Sequence, residues 1–280
     1  MAVLITGGTG FIAAELAAKL AASRPIVVMT RSKLQADWPV VKGAFQSFED
    51  LRKLDSFEID SVIHLAAVTG GSSEEEALDV NVQGSRRLFR YLLDRGVRKF
   101  ITASSIAATG CLDRLFTPLA APIPDDHPCL AKDIYGVSKS LVEQLTGYFH
   151  RVYPDADFAS FRFGSVVPED WPGQSVGPTT PMNIPFAQLA RVYVSDVVRA
   201  LELALDAPHT PGARVFNIVG PDASCDVPTA DMLRAVLGER ADALDLSYYA
   251  QPGNERKPVY AMERMRDAFG FVPQRSTRKD

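Results

Sequence analysis

Short unbroken apolar runs alternate with stretches whose apolar residues recur every three or four positions, through the first two thirds of this 280-residue chain. Ala2–Thr6 and Pro25–Thr30 read as strands, with a helix over Ile12–Ala22 between them. A third strand begins at Val40–Val41, and a helix follows near Phe48–Leu54. Ser61–Ala67, Lys99–Ser104 and Ala156–Phe163 are further strands. Glu75–Arg95 is mostly helix, and Tyr135–Tyr153 is one long helix. Continuous apolar strands, each followed by a helix, are covered on both faces, so the pattern predicts an α/β fold on a parallel sheet. From Gly164 to Pro185 glycine and proline break the pattern; a helix at Ser195–Leu205, a strand at Arg214–Val219 and a helix near Thr229–Leu237 follow. The expected organisation is residues 1–164 as the main domain and residues 165–280 as a mixed segment. That segment completes the sheet and adds a small lobe, within a single compact unit.

Composition narrows the function by exclusion. Hydrophobic residues make up 46% and charged residues 23%, with net charge −4, which is ordinary for a soluble globular protein. Nucleic-acid binders usually carry a strongly basic face, which is not expected here. No apolar stretch is long enough to span a bilayer, and no basic-then-apolar leader opens the chain, so no membrane partner is expected. Cys111, Cys129 and Cys225 are too scattered for a disulfide framework or a metal site, which points to the reducing cytoplasm. His127, His150 and His209 have no metal-ligand spacing, and no metal is expected.

Candidate chemistry starts at TGGTGFIAAEL. Gly7 allows a tight turn, and Gly10 lets the backbone approach a phosphate. Ala13 lets the following helix lie close to the strand. The amides at the start of that helix, around Phe11 and Ile12, offer N–H groups to an anion, and Gly8 and Thr9 complete the loop. Such a cradle suits a dinucleotide. Where the second strand ends, an NAD site usually carries an acidic residue for the ribose diol. This chain has Arg31, flanked by Thr30 and Ser32. A donor there suits a 2′-phosphate, which favours NADP over NAD.

Tyr135 and Lys139 are four apart on a predicted helix and share one face. Ser105 ends a strand at the carboxyl edge of the sheet, where ligands bind in such folds. Hydride transfer at an alcohol carbon needs removal of the hydroxyl proton, and a free phenol is a poor base at neutral pH. A nearby ammonium lowers its pKa. Tyr135 is therefore the expected base, or acid in the reverse direction; Lys139 tunes it and Ser105 binds the substrate oxygen.

In these motifs the chain resembles the short-chain dehydrogenase/reductase superfamily, in its extended, epimerase/dehydratase-like branch. The resemblance runs through TGGTGFIAAEL, VIHLAA (62–67), DVNVQGSRRL (79–88), ASSIAATG (103–110), YGVSK (135–139), RFGSVVPE (162–169), VYVSDVVRALELAL (192–205), VFNIVG (215–220) and AFGFVP. It implies a doubly wound Rossmann fold with a mostly parallel sheet of about seven strands, and a small C-terminal substrate lobe. It also implies catalytic roles for Ser105, Tyr135 and Lys139, with Asn81 as a structural or relay residue near the site. Cofactor contacts are implied at Leu65, Ala66, Ala67, Phe163, Ser165 and Val166, and a homodimer built through helices near 82–95 and 135–151.

The departures from the family are informative. Ala44 stands for an Asp that touches adenine, and Ala108-Thr109-Gly110 for an aromatic V-Y-G. Ile106 and Ala107 replace the acidic pair of sugar dehydratases, and no Glu stands there as in the decarboxylases, so neither reaction is expected. Nucleotide-sugar enzymes grip a pyrophosphate with two arginines; the matching positions here are Leu189 and Gln251, although Arg191, Arg256 and Lys257 are nearby in sequence.

The expected function is an NADP-preferring oxidoreductase, with NAD as the other candidate cofactor, acting on a small, sugar-like molecule. The alternative is a sugar epimerase with a tightly held cofactor. A non-enzymatic binding protein is disfavoured, because both Tyr135 and Lys139 are kept. His64 reads as structural, Cys111 as a half-buried thiol, Glu74–Glu76 and Arg86, Arg87 and Arg90 as solvated faces, and the stretch around Trp171 as a lid.

Overall fold

The structure, a computed structural model, describes residues 1–279. Its strands are β1 (Ala2–Thr6), β2 (Ile26–Thr30), β3 (Val40–Lys42), β4 (Ile59–His64), β5 (Lys99–Ser105), β6 (Asp157–Phe163), β7 (Ser165–Val167), β8 (Arg191–Tyr193) and β9 (Gly212–Ile218). Seven of them form one sheet in the order β3-β2-β1-β4-β5-β6-β9, and β7 pairs with β8 in a separate ribbon. β1 pairs in parallel with β2 and β4, β2 with β3, and β4 with β5, as the apolar runs predict. The fold is the expected α/β Rossmann-like sheet.

The helices are α1 (Phe11–Ala21), α2 (Phe48–Leu51), α3 (Glu74–Ala77), α4 (Ser85–Leu93), α5 (Ile134–Val152), α6 (Pro185–Gln188), α7 (Val194–Asp206), α8 (Thr229–Leu237), α9 (Ser247–Ala250) and α10 (Glu263–Phe269). Ser47 caps α2 by accepting from the Asp50 amide, and Ser73 caps α3 by accepting from the Glu76 amide. The helix expected over Glu75–Arg95 is three pieces: α3, a π-helical stretch over Leu78–Gly84, and α4. The glycine- and proline-rich segment after Gly164 contains β7, a strand that local pattern does not reveal. Its partner β8 is equally short.

The chain divides into two compact units. The first comprises residues 1–104, 137–161 and 201–215; the second comprises residues 105–136, 162–200 and, of those described, 216–279. The expected boundary at 164/165 lies three residues past the crossing at 161/162. In the first unit Phe100 stacks on Phe158 at 4.8 Å between ring centres, and Phe89 meets Phe100, Phe149 and Phe158 edge-on. The second unit has its own apolar core, including Ile106, Phe186, Leu189, Leu233 and Tyr260.

Candidate active site

The loop after β1 carries out the predicted turn. Gly7 has φ +79°, and a Cβ there would sit 2.8 Å from the Ala66 Cα. No side chain larger than hydrogen fits. Gly8 is buried, and a Cβ on it would lie 2.1 Å from Val28 Cγ1. α1 opens at Phe11 with no capping side chain and no acidic residue in its first turn. Its first amides therefore suit an anion.

A cavity of about 210 Å³ lies over this loop in the first unit. Gly7, Thr9, Gly10, Arg31, Ser32, Leu65, Ala66 and Ala67, all expected from the sequence, line it; so do Met29, Thr30, Gly43, Phe45 and Val80, which were not expected. Arg31 is the one charged side chain among these lining residues. A glycine cradle, free helix-terminal donors and a cation without a carboxylate fit a dinucleotide carrying phosphates. Ala44, where an adenine-binding Asp is missing, is braced by Asp50, whose carboxylate accepts from the Ala44 amide at 2.8 Å. That bond, helped by Lys53, holds the Asp50 carboxyl below its usual range.

Asn81 sits in the π-helical stretch and is buried. Its Oδ1 accepts from the Val68 amide at 2.8 Å, and its Nδ2 donates to the Val68 carbonyl and to Ser138 Oγ, each at 2.9 Å. Behind it runs a chain of polar groups whose directions can be deduced. Ser85 Oγ donates to the Asn81 carbonyl, so it must accept from His64 Nε2, 2.9 Å away. A neutral His64 then has Nδ1 as acceptor for the Thr6 hydroxyl at 2.7 Å, and Thr6 Oγ1 accepts from the Ala66 amide at 3.2 Å. Burial pulls His64 down to about 3, and the Lys139 charge adds to the effect, so the imidazole is neutral. His64 is structural, as expected, and it links the cavity loop at Ala66 to Asn81. Thr6, Ser85 and Ser138 were not anticipated; Ser85 carried the one local signal, an i+4 spacing from Asn81.

α5 carries both Tyr135 and Lys139, one turn apart. In the first unit Lys139 is buried and Nζ donates to the Ala103 carbonyl of β5 at 2.8 Å. Burial draws its ammonium down to about 8, while Glu143, one turn further along α5, pushes it back up. Glu143 itself accepts from Ser104 Oγ. In the second unit Ser105 and Tyr135 are half-buried and hydrogen-bonded to each other, and Ser105 Oγ also accepts from the Ala107 amide at 3.1 Å. Burial raises the Tyr135 phenol, and the Ser105 bond opposes that shift. Cys111 is fully buried, and burial pushes its thiol up to about 12, which leaves it inert as a nucleophile.

Phe163, Ser165 and Val166 lie in the second unit at β6 and β7. The Ser165 hydroxyl donates to the Ala187 carbonyl at 2.8 Å. Leu189 is fully buried among apolar side chains, whereas Gln251 is exposed. Among the described residues, no group of His, Cys, Asp or Glu converges as a metal site. Among the same residues, no helix is long and apolar enough to cross a membrane.

Residues 3–181 match the family model described as the NAD-dependent epimerase/dehydratase family. A UDP-glucose 4-epimerase of Azospirillum brasilense is 25% identical, over 97% of this chain and 87% of the relative. A D-erythronate dehydrogenase of Cupriavidus necator is 27% identical, over 84% of this chain and 81% of the relative. The crystal structure of a short-chain dehydrogenase/reductase superfamily protein from Agrobacterium tumefaciens, with bound NAD, is similar at a TM-score of 0.71. It is 20% identical, and the match covers 99% of this chain and 94% of that one.

Proposed function

The chain belongs to the NAD-dependent epimerase/dehydratase family, and from that premise we propose that it is an NADP-preferring oxidoreductase interconverting a hydroxyl and a carbonyl on a small, sugar-like substrate. The observation that carries the reading is the hydrogen bond between Ser105, at the end of β5, and Tyr135 on α5, with the buried ammonium of Lys139 one turn further along that helix. A bound nicotinamide dinucleotide would supply the hydride acceptor or donor. Ser105 would hold the substrate oxygen and Tyr135 would take its proton. Lys139, held by Ala103, would favour the phenolate that burial alone disfavours, and would hold the nicotinamide ribose. Asn81 would fix the loop at Val68 beside the cavity. Arg31, exposed at the cavity rim, would pair with the 2′-phosphate. Gly7, Thr9 and Gly10 with the start of α1 would take the pyrophosphate.

Tyr135→Phe tests the reading: turnover should vanish while dinucleotide affinity stays within about twofold, since only the proton-transferring oxygen is removed. Unchanged turnover would exclude Tyr135 as the base. A second reading, sugar epimerisation with a retained dinucleotide, is favoured by the epimerase relative and opposed by Leu189 and Gln251, which cannot grip a diphosphate. Acid release of nucleotide from freshly purified protein separates the two. Stoichiometric NAD⁺ would favour the epimerase; an empty protein that takes NADPH over NADH would favour the oxidoreductase. We also expect a homodimer, which sedimentation would check.

A further inference from the structure

The second unit holds a buried cation that no carboxylate neutralises. Arg191 opens β8 and is 8% exposed. Its Nη1 donates to the Gln174 carbonyl at 3.3 Å, and its guanidinium carbon lies 5.7 Å from the centre of the Trp171 ring. Three arginines of this unit contrast with it by having acids: Arg199 has Asp196, Arg278 has Asp222, and Arg275 has Glu169. Glu169, near Trp171 in sequence, is spent on Arg275 and on the Ser195 amide. The Trp171 Nε1 is also buried and has no acceptor. The indole N–H thus has no acceptor, and the guanidinium beside it has a carbonyl but no carboxylate, an arrangement that an anion would complete. Burial accordingly pulls the Arg191 guanidinium below its usual range.

The placement suits a substrate. The Ser165 amide, just past β6, donates to the Ala190 carbonyl, and the Gly220 amide, just past β9, donates to the Arg191 carbonyl. A Cβ on Gly220 would lie 2.6 Å from that carbonyl oxygen, so the approach is tight. Arg191 therefore stands at the carboxyl edge of the sheet, the edge on which open α/β folds bind ligands. We propose that Arg191 and the Trp171 indole form an oxyanion subsite that receives a carboxylate or phosphate carried by the substrate. The subsite itself stands on these two residues; that its ligand is the substrate rests on the oxidoreductase reading.

The chain has two tryptophans, Trp38 and Trp171, so Trp38→Phe leaves Trp171 as the sole reporter. Its fluorescence would be titrated with gluconate, glucose 6-phosphate and glucose. Either anion should give a saturable change that glucose does not, and the tighter one identifies the source as carboxylate or phosphate. Arg191→Gln should weaken that binding about tenfold or more, and Arg191→Lys less, because the bidentate fork is lost but the charge stays. Trp171→Phe, followed by calorimetry, should weaken it by a smaller factor. If Arg191→Gln fails to fold, the lysine and phenylalanine variants carry the test. Equal responses to all three sugars, no response to either anion, or a folded Arg191→Gln that binds like its parent would overturn the subsite. Anion binding that depends on Arg191, without turnover of any alcohol or carbonyl, would sink the oxidoreductase reading and leave the subsite standing. Turnover of neutral sugars alone, untouched by Arg191→Gln, would do the reverse.

Discussion

Arg31 and His64 differ in how far a single residue can be read from its position. The proposal for Arg31 rests on position alone: it follows a strand in a cradle motif, where a donor suits a 2′-phosphate. Arg31→Asp should weaken NADPH binding at least about tenfold and leave NADH binding much less affected, as fluorescence titration of both would show. Equal losses would remove Arg31 from the 2′-phosphate. His64 is legible only as a buried histidine. Its partners Thr6 and Ser85 are 58 and 21 residues away, and no local pattern announces them. Its folded pKa, about 3 against an ordinary 6.5, means that the unfolded chain binds a proton in this window that the folded one refuses. Stability should therefore fall as pH drops from about 6.5 toward 3. His64→Gln should flatten the urea-unfolding free energy in that window by up to about 1.4 kcal/mol per pH unit relative to the parent. Identical slopes would mean that His64 titrates freely.

Elements were legible in proportion to their length and regularity. α5, α7 and α8 follow amphipathic patterns and appear where expected. The three-residue strands β7 and β8 do not, because each is stabilised by its partner rather than by its own sequence. The predicted strand through Ala67 ends at His64 instead, because the Ala66 amide is captured by the Thr6 hydroxyl next to the Gly7 turn. The π-helical stretch is likewise a tertiary product, fixed by the hydrogen bonds of Asn81 and Ser85. Ser85→Ala should leave His64 Nε2–H without an acceptor and loosen Asn81. The expected result is a loss of about 1–3 kcal/mol of stability, read by denaturant unfolding, together with faster hydrogen exchange at the Val68 amide. Unchanged exchange at Val68 would show that Asn81 needs no support from Ser85. Gly7→Ala forces a Cβ onto Ala66 and should abolish dinucleotide binding, which calorimetry with NADPH would detect.

At the scale of the whole molecule, the repeating strand–helix pattern made the sheet legible, and the order β3-β2-β1-β4-β5-β6-β9 is the doubly wound arrangement the family resemblance implies. The membership of the two units was not legible, because contacts distant in sequence define it. A fragment ending at Gly164 lacks residues 201–215 of the first unit, including most of β9. It should show no cooperative thermal transition by circular dichroism, where the full chain shows one. The same threading has a consequence for inheritance. The second unit, which carries Ser105, Tyr135 and Arg191, is encoded in three separate stretches, and one crossing, at 136/137, falls inside α5. A single recombination event at any point would divide at least one unit between two parents. The second unit as a whole therefore cannot be exchanged as one cassette, and a change that involves all of it must be made in three distant parts of the gene.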